Sequence, residues 1–347
     1  MHTLTNARGL VLKAIDRGAI ITQLHTPDRE GNLADVVLGY DHAADYAHDP
    51  FYLGAVVGRC ANRIARGSFS LDGSDHTLAV NNPPNHLHGG VQGFDKHTWD
   101  AERIDDPRGP ALRFSRTSPD GEEGYPGNLK ASVTYILTDT NELICEMRAT
   151  SDAPTLCNLA QHTYWNLTGV HSGENAGDGS ERFASTIENH DVTLFADHMT
   201  PTDADAIPTG EFASVAGTPF DFRTPKPIGR DMHRVGDDPT GYDHNYVVNG
   251  EPGTLRPVAR VVEPTSGRVM TLSATRPGVQ LYTGNFLDGK TPGKGGVRYP
   301  RHSGLCLETQ HHPDAINKPD WPSPVLRPGE TDRHTMVFAF STDRDAQ

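Results

Sequence analysis

The chain has 347 residues and a formal net charge of -14, from 45 Asp and Glu against 31 Lys and Arg. So acidic a molecule repels phosphate backbones and anionic lipid, which argues against nucleic-acid and membrane partners, and no stretch approaches the roughly 18 apolar residues of a membrane span. The four cysteines, Cys60, Cys145, Cys157 and Cys306, form no C-x-x-C pair; they read as buried thiols rather than a zinc knot or redox dithiol.

From the N-terminus onward, short segments alternate apolar and polar residues. They are VLKAI and AIITQL, then ASVTYILT (131–138), ELICEMRAT (142–150), PVARVV (257–262), RVMTLSAT (268–275) and HTMVFAFS (334–341). Period two is the signature of a half-buried strand, and no helical stripe of comparable length occurs. The 35 glycines and 26 prolines fall between these runs, in NNPPN, SPDGEEGYPGN, LDGKTPGKGG and LRPGE, where they mark turns. The pattern predicts an all-β chain, one large antiparallel β-sandwich over 1–347 without linker or repeat. The polar, Gly/Ser-rich stretch 171–190 reads as a surface loop within it. The first residues lack a basic-then-apolar leader, so a reducing cytoplasm is the expected location, as monomer or homodimer.

Polar clusters stand beside these runs. Arg63 in NRI and Asp243 in YDHN are charges in largely uncharged surroundings; each is half of a structural ion pair or one of the rigid donors and acceptors that sugar hydroxyls need. His86 and His88 form an H-x-H pair that would share a face on a strand and bind a metal, but Gly89 and Gly90 imply a turn there. His162 follows the apolar TLCNLA and precedes Tyr164 and Trp165. It is either a hydrogen-bonded core histidine or a general acid titrating near neutrality, and the two rings either pack in the core or face a pyranose. In GLCLETQ, Leu305 and Leu307 share one strand face and Cys306 and Glu308 the other, so Glu308 points to a cavity or to solvent. The adjacent His311 and His312 diverge, which suits solvated or capping roles. Phosphate loop, dinucleotide fingerprint and serine-nucleophile elbow are all absent.

Taken in order, the clusters GRCANRIARGSFSLDG, LHGGVQGFDKHTW, SPDGEEGYPGNL, HTYWNLTG, GYDHNYVV, GVQLYTGNF and GKGGVRYPRHSGLCLETQHHPDAINKPDWPSPVLRPGE resemble the aldose 1-epimerase (galactose mutarotase) family across nearly the whole chain. The resemblance implies the galactose mutarotase-like β-sandwich and cofactor-free, metal-free exchange of the α and β anomers of a free aldohexose such as glucose or galactose. It also implies roles by position. Glu308 is the base at the C1 hydroxyl and His162 the acid at the ring oxygen. Asn62, Arg63 and His88 bind the sugar near that oxygen, and Asp243 accepts from its hydroxyls. Tyr164 and Gln280 join the same pocket. Stretch 171–190 is longer than usual for the family, and His86 takes no role. Rival readings are a hexose-6-phosphate 1-epimerase, with cations such as Arg66, Arg298 or Arg301 at the pocket mouth; a glycoside hydrolase, which needs two carboxylates; a non-catalytic sugar-binding module; and a metal-dependent isomerase using His86 and His88.

Overall fold

A computed structural model describes residues 1–170, 182–236 and 238–345. Among them there is no α-helix, only short 3-10 turns between strands. All seven alternating runs contribute to two sheets. The N-terminal pair lies in a four-stranded sheet (His2–Thr5, Val11–Ala14, Ile21–Pro27, Leu33–Asp35), and the others lie in a nine-stranded antiparallel sheet that runs from Asp100–Ile104 to Lys226–Pro227.

The register of the nine-stranded sheet explains the alternation. Leu112, Tyr135, Cys145 and Met336 stand in one row across four strands, and Arg113, Thr134, Glu146 and Thr335 in the next. The first row is buried and the second faces outward, because successive side chains leave a strand on opposite sides. Each large apolar side chain so removed from water contributes about 1.5–3 kcal/mol.

A five-stranded sheet provides the opposing layer, in the order Ala213–Ser214, His198–Met199, Asp243–Val247, Gly278–Tyr282, Cys306–Gln310. Its Tyr246, Val279, Leu281 and Leu307 enter the same core cluster as Val133, Met147 and Leu272 of the large sheet. The expected antiparallel sandwich is therefore observed. All four cysteines are free and buried, as the sequence suggested. Among the described residues no helix is long and apolar enough to cross a membrane.

Two expectations change here. Residues 171–181 of the anticipated surface loop lie outside the described residues, but 182–190 are anchored. Arg182–Phe183 pairs in parallel with Val297–Arg298, Ile187 is buried, and His190 Nε2 accepts from the Leu167 amide at 3.0 Å. His311 and His312 are not solvated either: His311 Nε2 meets the Arg276 guanidinium at 2.8 Å and His312 Nδ1 the Asn245 carboxamide at 3.0 Å.

Arg59 fixes the segment that delivers Asn62 and Arg63. Only 1% exposed, its guanidinium donates to the carbonyls of Ser118, Pro119, Pro126 and Gly127 and to the hydroxyls of Ser118 and Thr155, all within 3.2 Å. One side chain thus staples the 118–127 turn beneath the 59–63 segment. Arg59→Met would leave several buried acceptors unpaired at about 1–3 kcal/mol each. Urea denaturation of this variant is expected to show a loss of at least about 3 kcal/mol, and a loss under about 1 kcal/mol would contradict the stapling role.

Candidate active site

The site grows from the second face of the five-stranded sheet. Asn245, Gln280 and Glu308 are direct neighbours across its three main strands, and Asp243, Tyr282 and Cys306 form the next row on the same side. While Leu281 and Leu307 go to the core, this face is polar. Glu308 is nevertheless only 2% exposed, and among the described residues its Oε2 has no hydrogen-bond partner.

His162 arrives from strand Ala160–His162, which pairs with Ala55–Val57. Two residues on, Tyr164 faces the same cavity, whereas Trp165 turns into the core against Phe338 and Phe340, with ring centroids 5.1 and 5.7 Å away. His162 Nε2 stands 3.6 Å from Glu308 Oε1. The imidazole is enclosed by the rings of Tyr52, His88, Tyr164 and Tyr282 at 5.8, 5.2, 5.2 and 6.2 Å, and its Nδ1 faces Cys306 Sγ at 3.6 Å.

A two-stranded ladder, Arg63–Ile64 against His86–Leu87, carries the third group. Asn62 and His88 flank it with φ of 59° and 50°, a region that most side chains avoid and that Asn and His tolerate best. Reciprocal bonds hold both: the His88 amide donates to the Asn62 carbonyl at 3.1 Å, and the Asn62 amide donates to His88 Nδ1 at 3.2 Å. Gly89 completes the turn at φ 88°, where a Cβ would run into the Gly58 carbonyl oxygen.

That second bond sets the histidine's chemistry. With Nδ1 accepting, the neutral ring carries its proton on Nε2. Burial, reinforced by His162, Arg63 and Lys96, holds the His88 pKa well below its usual value. His88 therefore presents an N–H to the cavity. His88, His162 and Glu308 bring ligand-type atoms within 4.8 Å of one another, a donor set resembling a two-histidine, one-carboxylate metal centre. The committed Nδ1 leaves His88 no free lone pair toward the cavity, so only two ligands remain. The H-x-H pairing also fails, because His86 spends Nδ1 on the Ala79 carbonyl and Nε2 on the Tyr125 hydroxyl, both at 2.7 Å.

Together these elements enclose a cavity of about 340 Å³, at the lower end of small-molecule sites. Asn62, Arg63, His88, His162, Tyr164, Asp243 and Glu308 all line it. Gln280 does not: it lies behind Asp243 and donates to its Oδ1 at 2.7 Å. Arg63 NH1 stands 4.0 Å from Asp243 Oδ2, and its Nε donates to Asn82 at 3.1 Å. Tyr52, Asn82, Tyr282 and Phe286 also form the wall and were not singled out in the sequence. Tyr282 was readable, two residues beyond Gln280 and so on the same strand face; Tyr52, at φ 59° in a loop, carries no such signal.

Burial governs the electrostatics. It pushes the His162 pKa down to about 4, with Asp243 opposing, and raises that of Glu308 well above the carboxylate range, with the Asp243 charge adding and Arg63 opposing. In the empty cavity burial thus favours the neutral form of both groups, imidazole and carboxyl.

Comparison with known proteins agrees with this architecture. Residues 1–339 match the family model for aldose 1-epimerase. The chain is 49% identical over 327 residues to the galactose mutarotase of Bos taurus, covering 94% of this chain and 90% of that protein, and 36% identical over 344 residues to the aldose 1-epimerase of Escherichia coli K12, covering 97% and 94%. The crystal structure of an aldose epimerase homologue from C. elegans superposes with a TM-score of 0.85 at 32% identity, over 98% of each chain. The chain belongs to the aldose 1-epimerase family.

Proposed function

We propose that this cavity interconverts the α and β anomers of a free aldohexose, such as glucose or galactose, with Glu308 and His162 as the proton-transfer pair. The supporting observation is the buried, unpartnered Glu308 Oε2 beside His162 in a cavity of small-molecule size. An orphaned buried acceptor is destabilising, and a sugar hydroxyl would relieve it.

Ring opening requires the O1 proton to leave, the C1–O5 bond to break and O5 to gain a proton. A sugar O1–H donated to Glu308 favours the carboxylate, so binding moves the resident proton to His162 across 3.6 Å. Glu308 then takes the O1 proton while His162 protonates O5, and the open aldehyde faces protonated Glu308 and neutral His162. That is the charge state the empty cavity favours. After rotation about C1–C2, both transfers reverse and the ring closes with either configuration. Atoms and protons balance over the cycle. The Nε2–H of His88 and the Arg63 guanidinium supply donors for sugar oxygens, and Asp243 supplies an acceptor.

The one-proton requirement predicts the pH profile. A second proton enters only as His162 titrates, near 4, and the last leaves only above the raised Glu308 pKa. Because kcat/KM reports the free enzyme, it is expected to fall toward pH 4 on the acid side, and to fall again as the pH rises past the raised Glu308 value. An acid limb centred on the ordinary histidine value would contradict this pairing.

Among the described residues, Arg63 is the one Lys or Arg lining the cavity; Arg66, Arg298 and Arg301 are not in its wall, and Arg301 pairs with Asp238. The described residues of this wall hold no cationic cluster of the kind a sugar phosphate requires, which weighs against the 6-phosphate reading. Polarimetry of freshly dissolved α-D-glucose, α-D-galactose and glucose 6-phosphate tests the assignment. Enzyme-dependent decay to the equilibrium rotation is expected for the free sugars, and faster decay for the phosphate would overturn it. Asp243 and Glu308 also place two carboxylates in one cavity, so a nitrophenyl galactoside belongs beside them as a control, from which no nitrophenol should be released.

A further inference from the structure

A line of hydrogen bonds runs along the polar face of the five-stranded sheet, away from the cavity. Gln280 Nε2 donates to Asp243 Oδ1 at 2.7 Å. Gln310 Nε2 donates to both Gln280 Oε1 and Asn245 Oδ1, each at 3.2 Å. Asn245 Nδ2 meets His312 Nδ1 at 3.0 Å. Gln280, Gln310, Asn245 and His312 are all buried. Gly278 lies beneath the far end, where a Cβ would stand 2.5 Å from Asn245 Oδ1 and 2.8 Å from His312 Nδ1; the line fits only because that side chain is missing.

Its direction follows from one end. A carboxylate only accepts, so Gln280 must turn its N–H group toward Asp243. The Gln280 carbonyl then faces Gln310, which must answer with N–H. Since one amide nitrogen has two protons, Gln310 can serve Asn245 with the second. The remaining atom, Gln310 Oε1, is left buried without a partner among the described residues, which is locally unfavourable. The orientation is thus held against a local cost, and the demand that sets it comes from Asp243.

We propose that Gln310 is a positioning residue for sugar binding. By fixing the Gln280 carboxamide it holds Asp243 Oδ1 in place and leaves Oδ2 toward Arg63 and the cavity, as an acceptor for the sugar. This rests on Asp243 being a sugar-binding group, so the experiment separates the two ideas.

KM and kcat for α-D-galactose are measured by polarimetry on the full chain with Gln310→Met, Gln310→Glu, Asp243→Asn and the Gln310→Met/Asp243→Asn double variant, with the melting temperature of each. In Gln310→Glu, acceptors face acceptors at Gln280 and Asn245, and Gln280 is driven to turn its carbonyl on Asp243. Loss of one hydrogen bond to a charged group corresponds to about a tenfold effect. We expect KM to rise about tenfold in each single variant with kcat within about twofold. The double variant should match Asp243→Asn alone, because both changes act through one carboxylate. If Gln310→Glu fails to fold, Gln310→Met gives the same reading. Wild-type KM in the Gln310 variants beside a raised KM in Asp243→Asn overturns the positioning role alone, as does a lower melting temperature with unchanged KM, or multiplying effects in the double variant. Wild-type KM in Asp243→Asn removes its binding role and this inference with it.

Discussion

Glu308→Gln is expected to lower kcat for anomer exchange by about 10²- to 10⁴-fold, the usual contribution of a well-placed proton-transfer group, while the protein stays folded. The carboxamide matches the carboxylate in shape but cannot take the O1 proton. Glu308 sits on strand Cys306–Gln310, between Leu307 and Thr309, which face the other side, so the change leaves the core untouched. Burial favours the neutral form of Glu308 in the empty cavity, so a neutral amide suits the same surroundings. Polarimetry reads the rate and thermal denaturation the fold. Retention of more than about half the wild-type kcat would exclude Glu308 as the base.

His162→Asn is expected to produce a loss of similar size. The four surrounding rings and the Cys306 thiol fix the imidazole with Nε2 toward Glu308, and Asn offers no group that titrates. Because the two residues pass one proton between them, Glu308→Gln and His162→Asn together should be hardly slower than either alone. Rate losses that multiply would show two independent contributions and contradict a shared proton.

Strand alternation made much of this legible. Cys306 and Glu308 do share the face opposite Leu305 and Leu307, and period two in GVQLY places Gln280 and Tyr282 together. What alternation could not show was register between strands distant in sequence. That register sets Gln280 against Glu308 yet sends its carboxamide to Asp243, behind the cavity wall. Backbone conformation was equally hidden. The positive φ of His88 turns its ring into the cavity while His86 is sealed against Tyr125, and no H-x-H spacing distinguishes them. Arg59 lies within the GRCANRIARG cluster but carried no signal of its own, because its importance comes from carbonyls some sixty residues further on. The polar NNPPN segment looked like turn punctuation alone, although its Asn82 holds Arg63.

The most direct test is a crystal structure of the enzyme soaked with galactose. It should place O5 within hydrogen-bonding distance of His162 Nε2 and O1 within the same reach of Glu308, with Asp243 Oδ2 on a ring hydroxyl. A sugar bound elsewhere, or one whose C1 lies beyond the reach of both side chains, would contradict the mechanism.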